Sequence, residues 1–532
     1  MAGGAADDAG ACAGGQLRQR GRCLARAGRV RPAGQAAGRR GARQRALRDR
    51  RGSGRFHRRR HSRLHRAGRS LRRTAGTARC DEPGLARAGA VAGGAGAGGG
   101  GGLGGLTLAT VLVVGGRGFL GGFIVAALRR QGWRVRTLAR PQGRTLGDDE
   151  VAGDLTRMLS EADWVQALDG VTAVVNAAGI LREEGRQTFE DVHYRAPLAL
   201  ANGCAKRGIR FVQVSALGHP DDGGFIASKH RFDAALLALP LVAVVLRPSV
   251  VYSHRGSYGG TSLLRALAAF PGRSLLPGDG RWKFQPLSTE DLAEVVAAAC
   301  TRGAPGVHDL GCEHPIALHH YQALWRQWLQ IAGRGAWQVP LPLVKCQVWL
   351  GQALGRGPVN RAIWNMLLRG NLAAPGSHQR VMEAFGVRVR ALDEVLSAEP
   401  SQMQDRWAAQ LYFLAPWLKW SVIALWLWSG VVGLLTPASR IETLTHGSVL
   451  AEMAPVMLAR AAALLDLALG LALALVVRPR PVVLAMLASV AAYLFAFGVG
   501  LPALFMDSLG GLVKNVALLP ALAVLWVLVD RR

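Results

Sequence analysis

"VLVVGGRGFLGG", residues 111–122, sets four aliphatic residues ahead of Gly115, Gly118 and Gly121 and then runs on into "FIVAALRRQG". The aliphatic run reads as a buried strand. Phe119, Phe123, Ile124 and Leu128 recur at helical spacing after it, so the glycines form the turn between strand and helix. Each glycine has its own task. Gly115 permits the tight turn, Gly118 lets main chain approach a pyrophosphate, and Gly121 lets helix and strand pack closely. The diphosphate would rest on the helix N-terminus, where the dipole favours negative charge. The residues expected to touch it are Gly115, Gly116, Arg117, Gly118, Phe119, Leu120 and Gly121.

Working outward, apolar runs alternate with helical patterns at 107–114, 133–140, 150–155, 171–179, 209–218 and 241–252. Continuous Val/Leu strands alternating with helices predict a Rossmann-type, doubly wound parallel sheet covered on both faces. The second strand ends in "LAR", which puts Arg140 where an acid would accept from a ribose 2′-hydroxyl. A guanidinium there suits a 2′-phosphate, so the expected cofactor is NADP or NAD, with NADP favoured. Asp148, Asp149 and Glu150 come too late in the chain to replace that acid.

The formal charge of +30 invites a nucleic-acid reading, but its distribution argues against one. Residues 1–105 hold 24 arginines, no lysine and five acids, so +19 of the +30 lies in that Arg/Gly/Ala stretch. Such a composition cannot bury enough apolar surface to offset ordering entropy, and disorder is expected for 1–106. A basic arm is one reading; translation from a start placed too early is the other, and the compositional bias favours it. Seven scattered cysteines without a C-x-x-C pair indicate neither a metal site nor a disulfide framework.

From about Trp407 the texture changes again. The stretches 416–435, 457–477, 481–501 and 511–529 are apolar and roughly 19–21 residues long, enough to span a bilayer at about 1.5 Å per residue. They predict an all-α four-helix transmembrane bundle over 407–532. "RPRP" (478–481) and the closing "DRR" place the basic ends on one side. The positive-inside rule then puts both termini and the α/β domain in the cytoplasm, with the chain in the cell (inner) membrane. Asp466 and Arg460 lie within the second stretch. A charge at that depth seeks a partner, and Lys514 or Asn515 is expected to supply it.

In this order, "VVGGRGFLGG", "GDL" (153–155), "VVNAAG" (174–179), "VQVSALG" (212–218), "SK" (228–229) and "LRPSVVY" (246–252) resemble extended and atypical short-chain dehydrogenases/reductases. The subgroup is similar to the branch containing the accessory nucleotide-binding subunit of respiratory complex I. The resemblance covers 107–310 well and 311–400 loosely, as that family's smaller substrate lobe. It implies that Asp154 and Leu155 meet the adenine, that Asn176, Ala177, Ala178 and Gly179 line the nicotinamide side, and that Pro248 and Ser249 flank its ribose. The C-terminal spans resemble DoxX-like membrane proteins.

Catalytic members carry Tyr-x-x-x-Lys, in which the phenol exchanges a proton with substrate and the lysine lowers its pKa. This chain has Phe225-Ile-Ala-Ser-Lys229. Lys229 can still hold a ribose, and Ser215 is the nearby hydroxyl, but phenylalanine has no proton to give. His219, His230 and Tyr252 are substitute donors to consider. The expectation is a membrane-held NAD(P)-dependent oxidoreductase acting on a hydrophobic substrate or a quinone-like acceptor. The competing expectation is a nucleotide-binding module that regulates a membrane assembly without turnover.

Overall fold

The computed structural model describes residues 109–141, 145–256, 259–333, 335–353, 361–476, 478–507 and 512–529. The arginine-rich stretch expected to be disordered lies outside them. β1 (Thr110–Val114), β2 (Arg134–Ala139), β3 (Glu150–Ala152), β4 (Ala173–Asn176), β5 (Arg210–Val214) and β6 (Ala243–Pro248) form one sheet with an added edge strand, Gly306–Leu310. The order is Gly306–Leu310, β6, β5, β4, β1, β2, β3, every neighbour parallel. All six expected strands form, each shorter than its apolar run.

Alternation divides the core. Val111 and Val113 of β1 pack to one side with α1 (Phe119–Arg130) and the later helix Thr289–Ala299. Leu112 and Val114 pack to the other with Trp164, Leu200 and Phe232. This period-two division buries both faces of the sheet, as parallel crossovers require. The chain winds in opposite directions from β1 towards β2 and from β1 towards β4. That reversal opens a crevice at the carboxyl ends of these strands.

The smaller lobe gathers more chain than the expected 311–400. Tyr252, Leu276 and Phe284 join Leu318, Tyr321, Trp325, Leu392 and Val395 in one aromatic-rich cluster. Val381 and Phe385, by contrast, return to the core of the sheet. Arg326, on the helix Leu318–Trp328, is buried and donates to the carbonyls of Ala268 (2.8 Å), Phe270 (2.8 Å), Gly272 (2.9 Å), Gly333 (3.1 Å) and Ala332. One guanidinium thus satisfies two loops that have no strand partners of their own.

Among the described residues, three helices are long and apolar enough to cross a membrane: Met403–Leu435, Pro455–Leu475 and Arg480–Gly500. The expected fourth full span is shorter. The segment Leu512–Leu528 begins as a 3₁₀ turn, Leu512–Ala517, and becomes α-helical only over Leu518–Leu528. Pro520 accounts for the restart, because proline fits the first turn of a helix and not its interior. Val422, Ile423, Trp426, Leu473, Met486 and Leu522 form the common core of these helices.

The charges within these apolar helices do not pair as expected. Asp466 accepts from Ser429 Oγ (2.7 Å) and Tyr493 Oη (3.3 Å), so its partners come from the first and third long helices and not from Lys514 or Asn515. Arg460 donates to the carbonyls of Gly433 (2.7 Å), Leu434 and Thr436 (2.7 Å), closing the C-terminus of Met403–Leu435. Those carbonyls have no intrahelical donors and lie at the negative end of the dipole, which explains why a cation is placed there.

Arg326→Met should orphan several buried carbonyls and cost on the order of 3 kcal/mol. Thermal unfolding of the full chain in detergent, followed by tryptophan emission, should show a midpoint several degrees lower. An unchanged midpoint would mean that the two loops hold themselves.

Candidate cofactor site and its missing acid

The glycine turn forms as its sequence predicts. Gly115 adopts φ +82°, and its carbonyl accepts from Gly118 N–H at 2.9 Å. A Cβ on Gly115 would come within 2.8 Å of Ala178 N, so the turn lies directly on the loop after β4. A Cβ on Gly121 would stand 2.0 Å from Gly115 O. Among the described residues, the only heavy atom within 4 Å of such a Cβ at Gly118 is Gly115 O, at 3.1 Å. Two glycines are therefore closed in by main chain, while the middle one is far more open. Among the described residues, no side chain caps the N-terminus of α1. An uncapped helix end beside an open glycine is a cradle for a diphosphate.

Around this cradle, Arg117 pairs with Glu150, Nε–Oε1 at 2.8 Å and Nη2–Oε1 at 2.5 Å. Glu150 Oε2 accepts from Gly147 N–H at 2.9 Å. Together the Gly147 amide and then the Arg117 guanidinium hold that carboxyl below the usual carboxylate range. β3 lies beside β2 in register, Thr137 opposite Glu150, and that alignment carries the carboxylate to Arg117. Arg140 is exposed beyond β2 and has no hydrogen bond or ion pair among the described residues. Asp154 Oδ1 accepts from Thr156 N–H (3.1 Å) and Oγ1 (3.0 Å), fixing the turn after β3, and Leu155 packs against the sheet.

On the other side of the crevice, several expected site residues hold the frame. Asn176 is buried, donating to Gln213 Oε1 at 2.8 Å while its own oxygen accepts from Ala178 N–H at 3.2 Å. Ala177, Ala178 and Gly179 continue as the loop beneath the glycine turn, with Gly179 exposed. Pro248 ends β6, and Ser249 Oγ donates to Asn371 O at 2.9 Å. Ser215 Oγ donates to Asp233 Oδ2 at 2.7 Å, and Arg247 approaches the same oxygen at 2.9 Å. Ser215 thus belongs to a buried network under the helix Gly224–Leu237, not to the open crevice.

Residues 111–311 match the NAD dependent epimerase/dehydratase family, and residues 423–526 match the DoxX-like family. The chain joins an epimerase-type domain to a DoxX-like domain. Among curated proteins, it is 29% identical over 211 residues to a ceramide reductase of Caulobacter vibrioides, covering 38% of this chain and 63% of that one. It is 28% identical over 155 residues to an uncharacterised chloroplast protein of Arabidopsis thaliana, covering 27% and 51%. The chain thus spans between half and two thirds of these relatives. Solved structures similar to it include UDP-glucose 4-epimerase of Thermotoga maritima (16% identity, 54% and 96% covered, TM-score 0.41) and the Bordetella bronchiseptica enzyme WbmG with NAD and UDP (13%, 54% and 92%, TM-score 0.41).

In the epimerase-type domain, Lys229 is buried at the carboxyl ends of β4 and β5. Its Nζ donates to Val214 O (3.0 Å) and Ala178 O (3.3 Å). A Cβ on Gly179 would lie 3.3 Å from that nitrogen, so the amine sits immediately behind the crevice wall. Burial lowers its pKa to about 8, against a smaller opposing pull from Asp233. Phe225 stands one helical turn earlier and packs edge-on against His193, centroids 5.6 Å apart.

His193 was not anticipated. It lies in a widened π turn, Glu190–Arg195, of the kind often found at functional sites. Its Nε2 accepts from Ile180 N–H at 3.0 Å, and its Nδ1 is 2.8 Å from Ser228 Oγ, which donates to Phe225 O. Burial, and then the Lys229 charge, press its pKa down to about 2, so the ring stays neutral with both nitrogens engaged. In "EDVHYRAPLAL" (190–200) it stands among Glu190, Asp191, Tyr194 and Arg195, and no local pattern sets it apart.

The three substitute donors fare poorly. Tyr252 is wholly buried in the lobe core, and burial holds its phenol well above the ordinary range. His219 caps the short turn Pro220–Asp222, and His230 Nε2 contacts Ala216 O at 3.0 Å. None of these rings is aimed at the crevice beside Lys229 by the contacts it makes.

Gly118→Val fills the open face of the cradle and meets only Gly115 O, so the fold should survive. NADPH affinity, read by fluorescence titration, should fall at least a hundredfold with the thermal midpoint nearly unchanged. Undiminished affinity would show that the diphosphate lies elsewhere.

Proposed function

We propose that this chain is a membrane-held NAD(P)-dependent oxidoreductase acting on a carbonyl or hydroxyl of a hydrophobic substrate. The glycine cradle carries the reading. It offers an uncapped helix end, main chain closed in at Gly115 and Gly121, and space at Gly118 between them, which is what a dinucleotide's diphosphate needs. When bound there, the nicotinamide supplies or takes a hydride. The ceramide reductase relative supports a lipid as the substrate class, and the DoxX-like helices supply the setting.

In this reading Lys229 takes the place of the absent phenol. In the reducing direction its ammonium gives a proton to the carbonyl oxygen as the carbonyl carbon gains the hydride, and the amine is then reprotonated from solvent. A pKa near 8 leaves both forms accessible at neutral pH, as an acid–base group requires. Neutral His193 and Phe225 shield the amine from water on the side of the helix Gly224–Leu237. The cationic form is lost as pH rises through about 8, so reduction should decline above that pH and oxidation should rise. Lys229→Met should cut turnover at least a hundredfold and erase this inflection. Persistence of the same pH profile in that variant would remove Lys229 from catalysis.

Arg140 gives the cofactor preference. It is exposed and unpaired among the described residues, whereas Arg117 already answers Glu150, so Arg140 is the cation available to a 2′-phosphate. Arg140→Ala should weaken NADPH about tenfold and leave NADH within a factor of two. Equal losses for both would assign Arg140 no part in the choice.

The orientation is proposed on charge: the basic "RPRP" turn and the epimerase-type domain face the cytoplasm of a cell-membrane protein. The second reading is a nucleotide-binding regulatory module without turnover, favoured by Phe225 and by the immobilised neutral His193. The readings part in one assay. Both bind NADPH, but only an enzyme oxidises it when purified full-length protein is offered keto-lipids or quinones.

A further inference from the structure

The helix Leu341–Ala353 carries apolar side chains on the side turned away from the protein. At about 100° per residue, Leu341, Val344 and Val348 share the inner side, where Val348 is buried and the other two are half-buried. Opposite them, Pro342, Leu343, Cys346, Trp349 and Leu350 occupy one arc of about 120°. All five are exposed, Leu343 by 62% and Trp349 by 68%. The exposed polar residues Lys345 and Gln347 stand at the two margins of that arc. A helix on an aqueous surface has the reverse arrangement, with its charges outermost. An apolar outer arc with polar margins fits the boundary between headgroups and acyl chains.

A chain of aromatic contacts fixes where this helix lies relative to the membrane. Trp337, four residues before Leu341, packs edge-on against Phe270 with centroids 6.1 Å apart. Phe270 packs against Phe413 of the first long helix at 6.5 Å. Ala269, Leu329 and Ala409 close the same junction, and Arg406 Nε donates to Leu329 O at 3.0 Å. Phe413 precedes Trp417 by four residues, about 6 Å along the axis. Trp417 and Trp420 are 67% and 55% exposed beside Lys419, the arrangement of an interfacial belt. The lobe surface that carries Leu341–Ala353 therefore joins the long helix within about one turn of the headgroup level.

The same helix leads towards the crevice. Leu341 and Trp282 both lie against Gly278, and Trp282 packs on Trp364 at 6.0 Å. Trp364 belongs to the helix Arg361–Arg369, whose Arg369 pairs with Asp222 at 2.5 Å, three residues before Phe225.

We propose that Leu341–Ala353 lies in the interfacial layer of the bilayer with its outer arc among the acyl chains, a ledge over which a lipid leaves the membrane for the crevice. The placement in lipid stands on the helix and its aromatic junction. The passage of substrate rests additionally on the oxidoreductase reading.

A nitroxide label on Cys346, at the centre of the arc, tests the placement. The full chain would carry Cys12→Ser, Cys23→Ser and Cys80→Ser, since Cys204, Cys300 and Cys312 are buried. It would be reconstituted in phosphatidylethanolamine/phosphatidylglycerol nanodiscs. Spin relaxation by oxygen, which concentrates in lipid, should exceed that by a water-soluble nickel chelate severalfold. The same label at Gln379→Cys in a Cys346→Ser background, on the exposed side of Ser377–Phe385, should show the opposite ratio. Leu343→Lys with Trp349→Lys should reverse the ratio at Cys346. A label at Cys346 that favours the nickel chelate would put the helix in water and overturn the proposal. Shielding from both reagents would show the arc covered by protein, a second copy included, and would overturn it equally. A water-exposed label together with NADPH oxidation would remove the ledge and keep the enzyme. A lipid-buried label without NADPH oxidation against any acceptor would keep the ledge and remove the enzyme.

Discussion

The approach of α1 to the end of β1 is the constraint on which the nucleotide domain depends. With no side chain at Gly121, helix backbone sits against the carbonyl of Gly115; one methyl group would stand 2.0 Å from that oxygen. Because the helix is this close, its positive end points at the crevice, and the turn can rest on Ala177 and Ala178 of the next strand's loop. The parallel sheet then follows. β4 must lie beside β1 for that contact to form, and the reversal of winding at β1 opens the crevice whose wall at Gly179 is backed by Lys229.

Much of this was legible in the residues because local rules decide it. The run "VLVVGG" specifies strand and turn together, and continuous aliphatic strands can be accommodated only in a sheet covered on both sides. The seventh strand, Gly306–Leu310, escaped notice because it mixes an exposed Val307 with half-exposed His308 and Asp309 and so shows no continuous apolar run, as an edge permits. The lobe was under-drawn for a different reason. Its aromatic cluster unites Tyr252 with Trp325 and Leu396, and no periodicity joins residues so far apart in the chain. The fourth apolar stretch shows the limit of counting length, since Pro520 sets where regular helix can begin, whatever the hydropathy.

The candidate site was partly readable. Phe225 and Lys229 were visible as a pair that lacks its acid, and the glycine turn lies where the motif puts it. What could not be read was which polar groups are already engaged. Ser215 looks available in sequence, yet Asp233 and Arg247 claim it from the helix behind. Glu150 looks remote, yet β3 delivers it to Arg117. His193 sits 36 residues before Lys229 in the chain and becomes its neighbour through the loop at Gly179 and through Phe225 and Ser228 of the lysine's own helix. In each case a long-range partner, not the local pattern, assigns the side chain its task.

The helix Met403–Leu435 runs unbroken for 33 residues, about 50 Å at the usual rise, which exceeds a hydrocarbon core by roughly 20 Å. Its leading turns are bolted to the lobe through Ala409 and Arg406 rather than joined to it by a slack connector. The crevice consequently does not wander over the bilayer like a float on a string; it is held at a set altitude above the lipid. Under the proposed oxidoreductase function, a site fixed in this way would gauge its substrate, admitting molecules whose reactive carbon rises to that altitude while their tails stay immersed. Selectivity would then come from how far a reactive group stands above its greasy end, a ruler marked out in helical turns.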